Sequence, residues 1–459
     1  MAEPTHGPDA VAFDEVVRMA SDLIAIDTSN HGQGRGQERP AAEYVAQALS
    51  DVGIVPQVLE SAPGRANVVA RIAGTDPAAP ALLVHGHLDV VPADPTEWSR
   101  DPFGGEVVDG VVWGRGAVDM KGTLATTLSV VRSWARQGRA PTRDIVLAFT
   151  ADEEDTAAYG SDFLVGQHAE LFTGCTEGIS ESGAYTVHTT HQPDGRPVRL
   201  YPIAAGERGT AWLRLTAHGA AGHGSKPNRA NAVGAVAAAV ARIYQHHWPI
   251  RLTPTVEAAL RGIAEAVGVP ADLDAVDHLV ARLASASFLV ESTLRNSANP
   301  TMLEAGYKVN VIPSTAVAHV DGRVLPGGEQ EFVDTMDELT GPDVDWEYLH
   351  RERPLAAPPD SSTFAAMSAA LLAHDTHARV VPFSMSGGTD AKQFSRLGIV
   401  GYGFAPVQMP PELDFQSLFH GVDERVPVEG LRFGVGVLDT FLTEGAQQRV
   451  GPEPVMAGS

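Results

Sequence analysis

The chain has a single cysteine, Cys175, in 459 residues. No intrachain disulfide framework can form, and nothing in the composition calls for an oxidising compartment. A lone cysteine is more often a small buried hydrophobe than a nucleophile, and Cys175 is read that way. Basic side chains are scarce too: 33 Lys and Arg face 57 Asp and Glu, a formal net charge of −24. Such a balance repels phosphate backbones and anionic lipid, which removes nucleic acid and membranes from the expected partners. The acidity itself speaks to solubility and not to recognition. No run of about 18 apolar residues is present, and MAEPTHGPDAVAFDE lacks a basic segment followed by an apolar one. The protein is therefore expected to be soluble and cytoplasmic. Internal repeats, low-complexity blocks and the phosphate-loop patterns GxGxxG and GxxxxGKS/T are also missing.

Five short stretches carry most of the chemistry: HGHLDVVP (85–92), GRGAVDMKG (114–122), TADEED (150–155), SESG (180–183) and FHGVDE (419–424). The apolar pattern around them predicts their setting. Val11 to Ile26 and Glu38 to Val52 read as helices, the second with Ala41, Tyr44, Val45, Ala48 and Leu49 at helical spacing. Asn67 to Ile72, Ala81 to Val84 and Ile145 to Thr150 read as buried strands, with a helix from about Lys121 to Gln137 before the last. Length alone allows two or three domains at about 150 residues each, and two are expected. From Glu207 the order becomes strand (210–219), helix (Asn231 to Tyr244), strand (GYKVNVIP, 306–313), strand (315–326), helix (Glu329 to Leu339) and strand (344–350). That β-α-β-β-α-β order makes a compact two-layer unit. An insertion at 249–300, with helical stretches Val256 to Val267 and Leu273 to Leu283, interrupts it. After Pro354 the first pattern returns with a helix Ser361 to His374. The expected fold is α/β: a mixed-sheet, three-layer catalytic domain from residues 1–206 and 354–459, with a ferredoxin-like lid or dimerisation domain over 207–353. The tail after Gln447 is expected to be loose.

In open α/β sheets, ligands collect beyond the carboxyl ends of strands, and here ALLV runs into HGHLD and IVLAFT into ADEED. A ligating imidazole needs its other nitrogen held by a carboxylate or carbonyl, and Asp89 can do this for His87. His85 competes for the ligand role. Asp119 follows Gly114 and Gly116, which permit turns that aim a carboxylate inward, and its two oxygens can bridge metals about 3.5–4 Å apart. Capping the helix near Lys121 is its plainer alternative. Of the neighbours Glu153 and Glu154, one can bind metal while the other holds a water as general base; a solvated acidic loop is the plainer alternative. Glu181 and His420 can complete two sites of mixed nitrogen and oxygen donors, suited to zinc and tolerated by cobalt or manganese. Each signal is weak alone. Their conjunction points to a metallohydrolase.

On these residues the chain resembles the co-catalytic zinc family of aminoacylase, glutamate carboxypeptidase, acetylornithine deacetylase and succinyl-diaminopimelate desuccinylase, from about Ala12 to Leu442. The resemblance implies two zinc ions per subunit: one on His87, Asp119 and Glu181, the other on Asp119, Glu154 and His420. It implies Glu153 as general acid and base, Asp89 as the residue orienting His87, and His223 in GAAGHGSKP as a transition-state group that in dimeric members serves the neighbouring subunit. Asn310 in KVNVIP and Arg323 in VDGRVLP look like family substrate contacts, an arginine fork suiting a carboxylate. SGGTDAKQF (386–394) resembles the family's glycine-rich substrate loop, which brings in Gly387, Gly388 and Thr389. A nucleophilic Ser386 is the rival there, but no GxSxG elbow is present. One departure is SESG, where Ser182 replaces a glycine beside the ligand and puts the loop geometry in question. Glu at position 181 goes with acylases, desuccinylases and carboxypeptidases, where Asp goes with many aminopeptidases and dipeptidases. The expected activity is hydrolysis of an N-acyl amino acid or small peptide beside a free carboxylate. A metallo-dipeptidase or carboxypeptidase is the alternative, and a catalytically silent metal-dependent binding protein the third reading. A second copy of the chain, joined through the lid, is the expected protein partner.

Overall fold

The computed structural model describes residues 7–444, so the first six residues and the tail after Gln447 lie outside it. Its larger sheet has ten strands. Four parallel neighbours form the centre, in the order Ile145–Thr150, Ala81–His87, Cys175–Ser180 and Val400–Gly403. Antiparallel Arg65–Ile72 and Pro56–Ala62 extend one side, and Pro197–Glu207 continues the other. The sheet is therefore mixed. Central strands buried on both faces read as unbroken apolar runs, and the period of two sorts their side chains between two cores. Leu82, Val84, Ile145 and Leu147 join a large core with Val16, Leu23, Leu128 and Leu438 from the helices Ala10–Ile24, Lys121–Gln137 and Val428–Glu444. Ala81, Leu83, Val146 and Ala148 face a second cluster with Leu164, Phe172 and Phe394. Helices cover both faces of the sheet, which makes three layers.

The smaller sheet has four antiparallel strands, ordered Ser297–Ala305, Thr315–Val324, Gly209–His218 and Asp345–Arg351. The helices Ala232–Gln245 and Glu329–Thr340 place Val236, Ile243, Phe332 and Met336 against Leu213, Leu215 and Val320, in a core separate from the other two. The chain order is β-α-β-β-α-β, but its second strand is Ser297–Ala305 and not GYKVNVIP. Val311–Ile312 instead pairs with Gly222–His223 in a ribbon of its own. The reason is position: Ser297–Ala305 is a mostly exposed edge strand containing Pro300, so it shows little apolar alternation, and proline is tolerated at such an edge.

The insertion also departs from the smaller unit. The helix Pro254–Val267, capped by Thr253, buries Val256, Leu260, Ile263 and Val267 in the large core beside Val381. At about 1.5–3 kcal/mol for each fully buried aliphatic side chain, four such residues suffice to hold it there. The following stretch begins as a 3-10 turn, Leu273–Ala275, and becomes α-helical only over Val276–Val280. No helix among the described residues is long and apolar enough to cross a membrane.

Candidate metal centre

The parallel centre of the sheet delivers the chemistry to one end. His87 closes Ala81–His87, Glu153 and Glu154 follow Ile145–Thr150, and Glu181 follows Cys175–Ser180. Asp119 arrives from the loop before Lys121–Gln137, and His420 from the loop after the turn Gln416–Leu418. Asp119 stands between the two imidazoles. Its Oδ1 lies 3.1 Å from His87 Nε2, and its Oδ2 lies 3.3 Å from His420 Nε2. Glu181 Oε2 is 3.6 Å from His87 Nε2, while Glu154 Oε2 is 3.1 Å from His420 Nε2. Two overlapping groups, His87–Asp119–Glu154 and His87–Glu153–Glu181, each have ligand atoms within 4.8 Å of one another. Asp89 holds His87 through its carbonyl oxygen, 2.9 Å from Nδ1, while its carboxylate stays 3.7 Å away. His85 lies outside this cluster, its ring 4.9 Å from that of Phe394 and its Nδ1 buried without a partner.

The electrostatics are those of acids crowded away from water. Burial pushes Glu153 well above the usual carboxylate range, and the Glu181 charge adds to this. Burial and the neighbouring Asp119 push Glu181 up to about 8. For Asp119 burial is outweighed by hydrogen bonds from His420 and His87, which hold it low. Those from His420 to Asp119 and Glu154 raise His420 to about 10. Glu154 Oε1 is buried and has no hydrogen-bond partner. Like charges packed this closely are costly without cations, and imidazole nitrogens beside carboxylate oxygens are a donor set that zinc accepts. The residues present therefore fit divalent metal.

The backbone around the ligands is unusual as well. Asp152, Ser182 and His420 have φ of +66°, +64° and +56°, the left-handed region that few non-glycine residues occupy. Ser182 thus adopts the conformation a glycine would take there, and the SESG departure leaves Glu181 facing His87. At Gly116, with φ +90°, a Cβ would come within 2.9 Å of both Lys121 Cδ and Val90 Cγ1, so that turn admits only glycine without rearrangement.

A supporting shell escaped the sequence reading. Glu424 is fully buried and accepts from Arg115 Nη1 at 2.7 Å and from the backbone amides of Gly116, Val118 and Asp119 at 3.0, 2.7 and 3.0 Å. One carboxylate thus braces the loop that presents Asp119. On the other side, Asp89 accepts from the backbone amides of Glu153 and Glu154, both at 3.2 Å, and from Asn30 Nδ2 at 2.9 Å. Asn30 also reaches Asp152, which pairs with Arg65, which pairs with Glu38. Glu424, Arg115 and Asp152 sit inside the motifs already quoted, but nothing in those motifs marked their roles. A buried carboxylate acting as a hydrogen-bond acceptor has no spacing of its own to reveal it.

The remaining expected residues lie apart from the cluster. His223 and Asn310 are both exposed on the small ribbon, where Gly224 N donates to the Asn310 carbonyl at 2.9 Å and His223 Nδ1 contacts Ser225 Oγ at 2.8 Å. Arg323 forms a two-pronged pair with Asp321 at 2.7 and 3.0 Å. None of the three touches the five candidate ligands among the described residues. In the glycine-rich loop, Gly387 is exposed, and a Cβ on Gly388 would meet Lys392 Nζ. Thr389 is buried, its hydroxyl donating at 2.7 Å to Glu207, the residue at which the chain enters the smaller unit. Lys392 pairs with Glu352 at 2.9 Å, where the chain leaves it. Asp390 accepts from Thr150 Oγ1 at 2.6 Å and from Ser161 Oγ.

A fold that gathers two imidazoles and four carboxylates at the carboxyl end of a parallel sheet defines a metal-dependent hydrolase. Comparison with known proteins supplies the family: the model for peptidase family M20/M25/M40 matches residues 83–444, and the chain belongs to that family. Its relatives include the N-fatty-acyl-amino acid synthase/hydrolase of Homo sapiens, 28% identical over 92% of this chain and 85% of that protein. Aminoacylase-1 of Homo sapiens is 26% identical over 88% and 89%. Among solved structures, an M20 family metallo-carboxypeptidase from Sulfolobus solfataricus superposes with a TM-score of 0.69 at 19% identity, covering 94% of this chain and 99% of that one. Human carnosine dipeptidase 1 gives 0.65 at 16% identity over 96% and 100%.

Proposed function

We propose that the chain hydrolyses the amide bond of N-acyl amino acids at a centre of two zinc ions bridged by Asp119. The observation that carries this reading is the position of Asp119, with one oxygen toward His87 and the other toward His420. His87, Asp119 and Glu181 would hold one ion, and Asp119, Glu154 and His420 the other. When bound, such ions supply Lewis acidity at the substrate carbonyl and lower the pKa of an attacking water. Glu153 takes the proton from that water as its oxygen bonds to the carbonyl carbon, then delivers it to the amine nitrogen as the carbon–nitrogen bond breaks. Burial and the Glu181 charge, which raise Glu153, support its carrying a proton between these steps. Asp89 fixes the His87 ring through its carbonyl and the Glu153–Glu154 backbone through its carboxylate.

In this reading residues 1–206 and 354–459 form the catalytic body and 207–353 a lid, apart from the helix Pro254–Val267 and its neighbours, which side with the body. His223, Asn310 and Arg323 act from the lid on the oxyanion and the substrate carboxylate, with Gly387, Gly388 and Thr389 as the facing substrate loop. Because the first two lie exposed on the ribbon, the lid must close over the metals, or a second copy in a homodimer must supply His223. The proposed location is the cytoplasm. A substrate panel on the zinc- and cobalt-loaded protein tests the reading: acetyl amino acids turned over faster than dipeptides support it. Dipeptides as the preferred substrates would make it a dipeptidase. Stoichiometric zinc with tight ligand binding and no hydrolysis would make it a silent binding protein.

A further inference from the structure

Among the described residues three arginines are buried: Arg65, Arg115 and Arg208. A guanidinium out of water is costly unless carboxylates face it. The first two follow that rule, Arg65 against Glu38 and Asp152, Arg115 against Glu424. Arg208 does not. It is only 8% exposed, and its guanidinium has two neutral partners: Nη1 donates to Ser297 Oγ at 3.2 Å, and Nε to the Ser386 carbonyl at 3.5 Å. Its remaining N–H donors have no acceptor among the described residues. Asp321 attracts it from a distance but is already held by Arg323. Burial, joined by repulsion from Arg323, lowers Arg208 to about 10, which leaves it a cation at neutral pH. In a chain of net charge −24 the missing partner does not reflect a shortage of acids.

The place of this unpaired charge is informative. Arg208 stands where the chain passes from the larger unit into the smaller one, and its backbone N–H donates to the Met385 carbonyl at 3.1 Å. Met385 and Ser386 line a cavity of about 160 Å³ together with Ser182 and Phe419, the chain neighbours of Glu181 and His420. On the other side, Ser297 lies across from Arg323 in the smaller sheet. The guanidinium therefore sits between the loop that borders the metal cluster and the sheet that carries Arg323.

We propose that Arg208 receives the free carboxylate of the substrate and, by placing that charge next to Arg323, draws the smaller unit toward the metal centre. This rests on the reading of the site as an N-acyl amino acid hydrolase and adds to it a residue that selects for an acid. The ligand follows from shape and charge. The planar fork of a guanidinium with free donors suits a carboxylate. Arg208 and Arg323 together carry two positive charges against the one negative charge of Asp321, so a single carboxylate balances the group and a second would not. Without it the two guanidiniums repel each other; with it each faces an anion. A neutral group in the same place would leave a buried charge unpaired, and that penalty is what rejects substrates lacking the carboxylate.

The test is kcat/KM of the zinc-loaded full chain on acetyl-alanine and on acetyl-alaninamide, which differ in the carboxylate alone. The wild type should prefer the acid. Arg208→Met should lower the acid-to-amide ratio by about 10–150-fold, the usual contribution of a hydrogen bond to a charged group. An arginine with a merely structural role would depress both rates alike. No preference for the acid in the wild type, or an unchanged ratio in the variant, therefore overturns the proposal and leaves the amidohydrolase reading standing. If Arg208→Met does not fold, Arg208→Lys keeps the charge without the fork and should lower the ratio by about threefold or more; an unchanged ratio overturns the proposal there too. If neither substrate is cleaved, the amidohydrolase reading fails, and calorimetry with acetyl-alanine decides on Arg208. Binding weakened by about tenfold or more on substitution of Arg208 supports its role, whereas unchanged binding, or none in the wild type, overturns it.

Discussion

Replacing Glu424 by glutamine perturbs Asp119, the proposed shared ligand, through its backbone and leaves its carboxylate unaltered. Glu424 Oε2 accepts from Arg115 Nη1 and Gly116 N, and Oε1 from Val118 N and Asp119 N, at 2.7 to 3.0 Å. An amide has one acceptor oxygen, so whichever way the substituted side chain turns, two donors must face its NH₂ group. A hydrogen bond to a charged partner contributes about 1.5–3 kcal/mol, and losing two therefore costs about 3–6 kcal/mol. The cost of breaking a buried ion pair, about 3–5 kcal/mol, is of the same size. The loop relieves part of this by moving, and Asp119 moves with it. Residues that brace ligands in this way set metal affinity by about 10–100-fold. Competition of the Glu424→Gln variant with a chromophoric chelator should show zinc bound that much more weakly, and thermal denaturation a lower Tm. Wild-type zinc affinity together with wild-type Tm would refute the bracing role.

Glu153→Gln should keep its zinc and lose about 10²–10⁴-fold in kcat, since it removes the proton carrier alone; near-normal turnover by the zinc-replete variant would remove Glu153 from the mechanism. With His420 raised to about 10 and Glu181 to about 8, the cation-free cluster carries protons at pH 7 that metal must displace. Zinc affinity should accordingly rise from pH 6 to pH 8, and calorimetry in buffers of different ionisation enthalpy should register proton release; heats independent of buffer would contradict this. Hydrogen bonds from Arg199 hold Asp375 below its ordinary range. A depressed carboxyl contributes stability that is present above its unfolded pKa of about 3.9 and lost as pH falls through the lower folded value. Arg199→Ala should thus cost about 1 kcal/mol at pH 7, because the guanidinium is partly exposed, and less at acid pH. An equal loss at both would disprove the linkage. Leu260→Ala should cost about 2–5 kcal/mol if the insertion belongs to the large core, and an unchanged Tm would detach it.

Two of the three strands that lead into ligand candidates were legible because both of their faces are buried, whereas Cys175–Ser180, with Thr176 exposed and Glu177 half-buried, was not. IVLAFT reads as a continuous apolar run, and so does ALLV, although its strand extends through His87. The five ligand candidates could be picked out by their conjunction and by the family resemblance, since each was weak alone and only His87, Glu154 and Glu181 follow strands, while Asp119 and His420 lie on loops. Residue spacing left His85 as a rival to His87, and the resemblance preferred His87; both lie on the same strand, and only His87 reaches Asp119. The edge strand Ser297–Ala305 stayed hidden because an exposed edge needs no apolar alternation, whereas KVNVIP is apolar and yet lies in a ribbon. Asn30 and Glu424 were silent for a related cause. Each acts through hydrogen bonds to residues far away in sequence, 59 positions for Asn30 to Asp89 and 305 for Glu424 to Asp119, and no local pattern records such a partner.

The most direct measurement is anomalous diffraction at the zinc edge from crystals of the zinc-loaded protein. Two peaks about 3.5–4 Å apart with Asp119 between them are expected, one against His87 and Glu181, the other against His420 and Glu154. A single peak, or a pair that leaves His420 without metal, would contradict the shared-aspartate centre from which the activity has been argued.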